Sequence, residues 1–266
     1  MPDLSGKSAL VTGVTGGIGR AIAKALHDGG ATVKISGRRT EVLDGVAAEL
    51  GDRVEVMPAD LSKPGGPRAL AERAGAVDVF VANAGIPGTG DLTDYSEEQI
   101  DRVVDVNLRA PIQMTHVLLP GMLERGSGSL VYMSSVSGKV ASANASLYNA
   151  TKFGLRGFSL ALHEDLLDKG VGVTCIFPGF ISDAGMWADG GLKEPPGTGT
   201  RTPEQVADAV LRAIERNPRE IGVAGLMLRV GGLIGGAAPS LAARIQRMSG
   251  GDKVSADLAE AQRAKR

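Results

Sequence analysis

A glycine-rich turn between an apolar run and an amphipathic stretch is the feature that most constrains how this chain can fold. Residues 7–12 (KSALVT) form the apolar run, and residues 13–19 (GVTGGIG) form the turn. The stretch RAIAKALHDGGA then places apolar residues at helical spacing, and a second apolar run follows at residues 32–36. The pattern predicts a strand, a tight turn, a helix and a second strand, which together form a βαβ unit.

Short runs that are apolar on both faces recur along the chain and alternate with helical segments. This alternation is typical of a parallel sheet that helices cover on both sides. Strands are predicted at residues 8–12, 32–36, 54–58, 77–82, 129–134, 171–177 and 220–224. Helices are predicted at residues 17–28, 40–50, 97–123, 146–169 and 203–216.

The length of 266 residues and the hydrophobic fraction of 43% suit one α/β domain with a doubly wound parallel sheet. We assign residues 1–250 to this domain and residues 251–266 to a polar C-terminal tail.

The glycine turn predicts a binding site for a pyrophosphate. Backbone N–H groups of such a turn can approach phosphate oxygens, and a helix that begins near Gly17 adds its partial positive charge there. Gly17 and Gly19 carry no Cβ atom that would block the contact. Chance clusters arise in a chain with 38 glycines, but the position between a predicted strand and helix favours nucleotide binding.

The end of the second predicted strand indicates which dinucleotide is bound. An acidic residue at this point would hydrogen-bond the ribose 2′-hydroxyl of NAD, but the chain has Ser36, Gly37, Arg38 and Arg39 instead. Two guanidinium groups can hold a 2′-phosphate, so NADP (as NADPH) is favoured over NAD. The alternative is that both arginines form a solvated start to the helix at residues 40–50.

Tyr148 and Lys152 lie four residues apart, so they share one face of a predicted helix. A phenol normally keeps its proton until pH about 10, but an ammonium group about 4 Å away favours the phenolate by roughly 4 kcal/mol at a dielectric of about 20. The pair therefore predicts a lowered tyrosine pKa and proton exchange with a substrate oxygen. The alternative is an ordinary surface pair.

Together these motifs resemble the short-chain dehydrogenase/reductase family in its compact single-domain branch. Residues 12–19 fit the family turn T-G-x-x-x-G-x-G, and Tyr148-x-x-x-Lys152 follows Ser135 by 148 minus 135, or thirteen, positions. Asn107, in VDVNLRA, matches the fourth catalytic position of the family. Further matches follow in the family order at Asp60-Leu61, Asn83-Ala84-Gly85 and Pro178-Gly179.

The resemblance implies a Rossmann-type fold of about seven strands and a catalytic set of Asn107, Ser135, Tyr148 and Lys152. Tyr148 would act as general acid or base, Ser135 would donate to the reacting oxygen, and Lys152 would lower the Tyr148 pKa and bind the nicotinamide ribose. Asn107 would hold a water that relays protons. The implied cofactor-binding residues are Gly13, Thr15, Gly16, Gly17, Ile18, Gly19, Arg38, Arg39, Asp60, Leu61, Asn83, Ala84, Gly85, Tyr148, Lys152, Pro178, Gly179 and Ile181.

The chain departs from the family pattern after Pro178-Gly179, where Asp183 takes the place of a threonine expected near the cofactor carboxamide. Either the Ser182 hydroxyl or backbone groups alone would replace it. The Gly- and Pro-rich segment at 183–202 is the expected substrate loop. Within it, Met186 and Trp187 would either form an apolar wall for the substrate or pack in the ordinary way.

The region at 221–248 is apolar and rich in glycine. Packing on the protein's own body, as a helical flap over the active site, is the preferred interpretation. A transmembrane span is disfavoured by the glycines and by Arg229, whereas peripheral contact of residues 225–248 with a membrane surface is left open.

Composition excludes several other classes of function. A net charge of −1 and an aromatic fraction of 3% disfavour nucleic-acid binding. Cys175 is the only cysteine and lies in an apolar strand, and the three histidines lack metal-ligand spacing, so no disulfide and no metal site are predicted. The N-terminal residues lack a signal-peptide pattern, so a cytoplasmic protein is expected.

The favoured function is an NADP-dependent oxidoreductase that acts on a small-molecule carbonyl or secondary alcohol with apolar character. The protein is expected to assemble as a homodimer or homotetramer. The alternative is a catalytically silent sensor or scaffold that binds NADP without turnover.

Overall fold

The computed structural model describes residues 2–185, 191, 199–248 and 251–263. Its strands are β1 Ser8–Thr12, β2 Thr32–Ser36, β3 Val54–Val56, β4 Val79–Ala82, β5 Gly128–Met133, β6 Val171–Pro178 and β7 Glu220–Val223. They form a seven-stranded parallel sheet in the order β3-β2-β1-β4-β5-β6-β7. The order reverses between β1 and β4, which is the switch point of a doubly wound sheet. The predicted Rossmann-type α/β class is therefore confirmed.

Helices connect the strands and continue beyond the last one. They are α1 Gly17–Asp28, α2 Thr40–Leu50, α3 Gly66–Ala74, α4 Glu97–Val104, α5 Ala110–Arg125, α6 Ser146–Asp165, α7 Pro203–Arg216, α8 Leu226–Ala237, α9 Pro239–Met248 and α10 Gly251–Ala261. Since each parallel pair needs a crossover, this order places helices on both faces of the sheet.

Successive residues of each strand enter two separate cores because strand side chains alternate between the two faces. In β1, Ala9 and Val11 pack in one core with Ile22 of α1, while Leu10 packs in the other core with Met114 of α5. Helices α1, α2 and α7 cover the first face, and α3, α5 and α6 cover the second. Double-sided burial explains why the strands are apolar throughout.

The predicted helix at 97–123 is interrupted by a π-helical segment, Asp105–Arg109. Pro111, in the first turn of α5, has no N–H group to donate to the carbonyl of Asn107 four residues earlier. The backbone therefore cannot close a regular α-helical turn at this point, and the wider turn takes its place. The helical backbone nevertheless runs without a break from Glu97 to Arg125, so the predicted helix is present and the π-helical segment within it is what the sequence analysis did not predict.

Helix α3 was not predicted, because Gly65, Gly66 and Pro67 obscure its start. Gly65 adopts a left-handed conformation at φ 76°, and a proline in the first turn needs no hydrogen-bond partner for its nitrogen. Strand β3 ends at Val56, before the predicted end at residue 58, where Pro58 has no N–H group for the sheet.

Helices α8 and α9 pack on the protein's own body, as the preferred interpretation expected, and α10 packs there too, within the residues assigned to the polar C-terminal tail. A Cβ atom on Gly235 of α8 would lie 2.7 Å from Val140, so this helix lies directly against the loop that follows β5. Gln262, just after α10, is buried and accepts a hydrogen bond from Thr89 Oγ1 at 2.7 Å. None of the described helices is both long and apolar enough to span a bilayer.

A partly buried ion cluster ties β7 to the α6 side of the sheet. The Glu220 carboxylate accepts one hydrogen bond from Lys139 Nζ and another from Arg156 Nε, both at 2.6 Å. Burial alone would raise the pKa of Glu220, but the hydrogen bonds and positive charges of Lys139 and Arg156 outweigh it and hold the pKa below its ordinary value. The ionised form is therefore favoured by folding.

We predict that Glu220→Gln removes a pH-dependent part of the folding stability. A lowered native pKa gives stability that is present above the unfolded pKa of about 4.3 and is lost as the pH falls through the native pKa. The difference in unfolding free energy between wild type and variant should be about 1–3 kcal/mol at pH 7 and should shrink below pH about 4. Urea denaturation from pH 7 to pH 3 measures it, and a pH-independent difference would contradict the prediction.

Candidate active site

A crevice of about 1560 Å³ opens at the carboxyl ends of the strands, where β1 and β4 diverge. Every residue predicted to bind the cofactor lines this crevice, as do Ser135, Tyr148 and Lys152. Among the four predicted catalytic residues, only Asn107 lies behind its wall. The volume exceeds the about 300–1,000 Å³ of an ordinary small-molecule pocket, so the crevice has room for a dinucleotide and a second ligand.

The glycine turn lies against the chain that leaves β4. Gly13 has φ +75°, and a Cβ atom there would lie 2.8 Å from the Ala84 Cα atom. A Cβ atom on Gly19 would overlap the Gly13 carbonyl oxygen. These two positions therefore require glycine for the packing of the turn itself, and the turn presents the N-terminus of α1 to the crevice, as phosphate binding requires.

Three hydrogen bonds hold this turn at the switch point. The N–H groups of Asn83 and Ala84 both donate to the Thr12 hydroxyl at 3.1 Å, and Asn83 Nδ2 donates to the Thr12 carbonyl at 2.9 Å. The Asn83 side chain thus fastens the glycine turn to the end of β4. The Asn83 amide therefore bonds the protein's own backbone, although Asn83 also lines the crevice.

The arginines at the end of β2 have different surroundings. Arg39 Nη2 donates to the Thr15 carbonyl at 3.1 Å, which ties the start of α2 to the glycine turn. Arg38 is exposed at the edge of the crevice. Burial alone would raise the pKa of Asp60, but hydrogen bonds from Ser62 and the charge of Arg38 hold that pKa below its ordinary value. A cation and an ionised carboxylate therefore flank this end of the crevice.

The predicted triad of side chains comes together at the other end. Ser135 follows β5, and Tyr148 and Lys152 lie on α6. The Tyr148 phenol lies close enough to the Ser135 side chain for that hydroxyl to lower its pKa, and Lys152 Nζ lies 5.6 Å from the centre of the Tyr148 ring. The buried ammonium donates to the Met133 carbonyl at 2.9 Å. Two hydroxyls and an ammonium therefore face one region of the crevice.

The direction predicted for the Tyr148 pKa was wrong in this structure. Burial raises the pKa of Tyr148 to about 12, although the Ser135 hydroxyl lowers it in part, and burial lowers the pKa of Lys152 to about 8. The sequence argument assumed an ammonium about 4 Å from the phenol at a dielectric of about 20 and did not include the cost of burying a phenolate. Instead the ammonium bonds the Met133 carbonyl, so the cost of burying a phenolate dominates.

Asn107 positions a neighbouring backbone segment. Its Oδ1 accepts from the Ile86 N–H at 2.8 Å, and its Nδ2 donates to the Ile86 carbonyl at 2.9 Å. A Cβ atom on Gly85 would lie 3.5 Å from Asn107 Oδ1 and 3.6 Å from Lys152 Nζ, so both groups border Gly85. The predicted role of holding a relay water stays a prediction.

Asn149 organises the loop that carries Ser135, and the sequence analysis missed it. Its Nδ2 donates to the carbonyls of Ser137 at 2.6 Å and Val140 at 2.9 Å, and its Oδ1 accepts from the Ser142 N–H at 3.2 Å. The side chain is buried directly after Tyr148. Its position directly after Tyr148, on the helix that carries the Tyr148–Lys152 pair, was the available signal.

The C-terminal helices form one wall of the crevice. Thr89, whose carbonyl accepts from the Tyr95 hydroxyl at 2.8 Å, meets Gln262 here across 173 residues of sequence. No short-range pattern could have joined these two residues. The lining residues from this region are Met227, Leu228, Val230, Gly231, Ile234, Ala242, Ile245, Val254, Ser255, Leu258 and Gln262.

The structure describes only part of the predicted substrate loop at 183–202, and Met186 and Trp187 lie outside the described residues. Asp183 is exposed with φ +58°, and Ser182 Oγ lies 3.4 Å from the Arg201 carbonyl. Neither residue is in the crevice lining. Of the two alternatives for the missing threonine, the geometry favours backbone groups.

Among the described residues, no group of three His, Cys, Asp or Glu side chains is close enough to hold a metal ion. Cys175 is fully buried, and burial raises its pKa to about 12, so its thiol stays protonated.

The sheet order and the crevice at its switch point define a Rossmann-type protein with an oxidoreductase-like site. A family model for short chain dehydrogenases matches residues 7–194, which is more than half of the chain. The protein therefore belongs to the short-chain dehydrogenase/reductase family of oxidoreductases, and the predicted family membership is confirmed.

Similar proteins with curated names or solved structures agree with this membership. The ketoacyl reductase HetN of Nostoc sp. is 34% identical over 267 residues, which cover 94% of this chain and 91% of HetN. A 3-oxoacyl (acyl-carrier-protein) reductase from Agrobacterium tumefaciens with NADP bound has a TM-score of 0.76 at 25% identity, covering 83% of this chain and 93% of that one. A 3-ketoacyl-(acyl-carrier-protein) reductase from Brucella melitensis complexed with NADH has a TM-score of 0.74 at 26% identity, covering 84% and 98%.

We predict that Asn149→Ala lowers both stability and turnover. The substitution leaves three backbone groups of the Ser135 loop without their partner, which should cost about 1–3 kcal/mol of unfolding free energy. The loosened loop should lower kcat more than it changes NADPH affinity. Urea denaturation, steady-state kinetics and fluorescence titration with NADPH measure the three quantities.

Asn217→Ala is the matched control, because Asn217 Oδ1 accepts from the Val173 N–H at 2.7 Å far from Ser135. It should reduce stability while kcat is kept. Equal losses of kcat in the two variants would contradict a positioning role for Asn149.

Proposed function

We propose that the protein is an NADP-dependent reductase of apolar carbonyl compounds, which can also oxidise the corresponding secondary alcohols. The observation that carries the proposal is the meeting of the Tyr148 phenol, the Ser135 hydroxyl and the Lys152 ammonium in the same crevice as the glycine turn. Each group has a chemical task in carbonyl reduction that its surroundings support.

The proton and the hydrogen bonds needed by the reacting oxygen come from the chain itself. When bound, NADPH supplies a hydride to the carbonyl carbon. Ser135 donates a hydrogen bond to the carbonyl oxygen as negative charge grows there, and Tyr148 gives it a proton. Since the Tyr148 pKa lies far above neutrality, the phenol holds the required proton at pH 7. Buried Lys152 provides positive charge behind the tyrosine.

The glycine turn would hold the pyrophosphate, and Lys152 would also bind the nicotinamide ribose. The preference for NADP rests on Arg38, which is exposed at the adenosine end of the crevice, and on the lack of an acidic residue from Ser36 to Arg39. The similar structures do not decide this point, because one was solved with NADP and another with NADH.

The substrate class follows from the wall that the C-terminal helices provide. Leu228, Ile234 and Leu258 give this side an apolar character, and Thr89 and Gln262 add a polar pair at its base. A carbonyl compound with an aliphatic chain fits such a wall. Since HetN is named a ketoacyl reductase, 3-oxoacyl thioesters are the first substrates to test.

A silent NADP-binding sensor is not favoured, because such a protein would have no need for a neighbouring tyrosine and serine facing the cofactor crevice. A cytoplasmic location and assembly as a homodimer or homotetramer stay predictions.

We predict that Tyr148→Phe lowers kcat/KM for NADPH-dependent carbonyl reduction by about 10²–10⁴-fold, because the proton donor is lost while the ring is kept. NADPH affinity should change little. Tyr132→Phe is the matched control, since that buried hydroxyl bonds Thr115 inside the core and faces away from the crevice. Full activity in Tyr148→Phe would refute the assigned chemistry.

We predict that Arg38→Asp lowers the ratio of kcat/KM for NADPH to that for NADH by about tenfold or more. The change removes a cation from the 2′-phosphate and adds a carboxylate that repels it. Arg68→Asp, on α3 and outside the crevice lining, controls for the change in net charge. An unchanged ratio would remove the basis for the NADP preference while leaving the reductase chemistry intact.

A further inference from the structure

An exposed apolar surface covers the outer side of α8 and α9. Leu226, Val230 and Leu233 follow one another at spacings of four and three residues on α8, and Leu241, Ile245 and Met248 repeat the same spacing on α9. Such spacing places each triplet on one face of its helix. We call these six residues the α8–α9 apolar face.

The side chains of this face are far more exposed than a packed core would allow. Leu226, Leu233 and Met248 are 74%, 71% and 78% exposed, and the other three are 45–51% exposed. Soluble proteins seldom expose large apolar residues in such a continuous group unless another surface covers them. The face therefore requires an occupant.

The charge of the α8–α9 segment indicates what kind of surface covers its apolar face. Residues 225–250 contain Arg229, Arg244 and Arg247 and no Asp, Glu or Lys, so the segment carries +3 in a chain whose net charge is −1. All three arginines are exposed, and each lies next to a residue of the apolar face. Apolar side chains flanked by arginines are the composition of helices that lie in the interface of an anionic bilayer.

A second copy of the chain fits less well. A two-fold contact would place the same +3 segment on both sides, and the α8–α9 segment offers no carboxylate that could offset the repulsion. An anionic lipid surface supplies both the apolar phase and the opposite charge. We propose that the α8–α9 apolar face binds the surface of an anionic lipid bilayer.

The α8–α9 apolar face lies where binding to a bilayer would bring the crevice close to the lipid. Val230 and Ile245 belong to the apolar face and also line the crevice, with 45% and 46% exposure at its rim. The α8–α9 apolar face thus adjoins the rim of the crevice at these two residues. A lipophilic carbonyl compound could pass from the lipid phase into the crevice along apolar side chains. This use rests on the proposed function, but lipid binding itself does not.

Vesicle sedimentation of the full chain tests the proposal without any need for turnover. The protein should sediment with vesicles of phosphatidylcholine and phosphatidylglycerol, and more weakly with phosphatidylcholine alone. Leu233→Glu and Leu241→Glu, neither of which lines the crevice, should each weaken binding by about tenfold or more. Arg244→Gln combined with Arg247→Gln should remove most of the preference for the anionic vesicles.

Leu167→Glu is the matched control, because Leu167 is 47% exposed and lies near the amino ends of the strands, opposite the crevice. It should bind vesicles as the wild type does, and circular dichroism should show all variants folded. Failure of the wild type to sediment with anionic vesicles would overturn the proposal, as would equal weakening by Leu167→Glu. A dimer that dissociates on Leu233→Glu in analytical ultracentrifugation would also overturn it and assign the face to a second copy.

Discussion

The site depends on two hydrogen bonds that the Thr12 hydroxyl accepts from the backbone N–H groups of Asn83 and Ala84. These bonds join the end of β1 to the chain that leaves β4. Strands β1 and β4 are the neighbouring strands between which the strand order reverses. The Asn83 amide adds a third bond to the same turn. Beyond Val11 and Val81, the last paired residues of the two strands, this junction holds the glycine turn against the Gly85 segment.

The fold and most of the lining were predictable because their signals are local. Strands β1 and β2 and helices α1 and α2 lie at the predicted residues, since a short apolar run or a helical periodicity is visible within a dozen positions of sequence. All residues carried over from the family resemblance except Asn107 also line the crevice, because a parallel sheet brings the carboxyl ends of its strands to one edge.

What the sequence did not predict depends on contacts between distant segments or on burial. The Thr89–Gln262 hydrogen bond spans most of the chain, and the Asn149 bonds to three backbone groups exist only after the loop after β5 has folded onto α6. The Tyr148 pKa was mispredicted for a related reason, because the ammonium bonds the Met133 carbonyl and the half-buried phenol has lost much of its contact with water. Spacing along a helix indicates which residues are neighbours, but it does not give the dielectric around them.

The helices α8, α9 and α10 contribute no strand to the sheet, yet they supply one whole wall of the crevice. The half of the crevice that would bind the dinucleotide and the wall formed by α8, α9 and α10 are therefore under different structural constraints. Substitutions in the wall leave the β1–β4 junction and both cores untouched, so natural variation can change which molecules are admitted at little cost to folding. In this architecture the proposed chemistry resides in the segments that β5 and α6 position, while the proposed selectivity can diverge separately in the helices that follow the last strand.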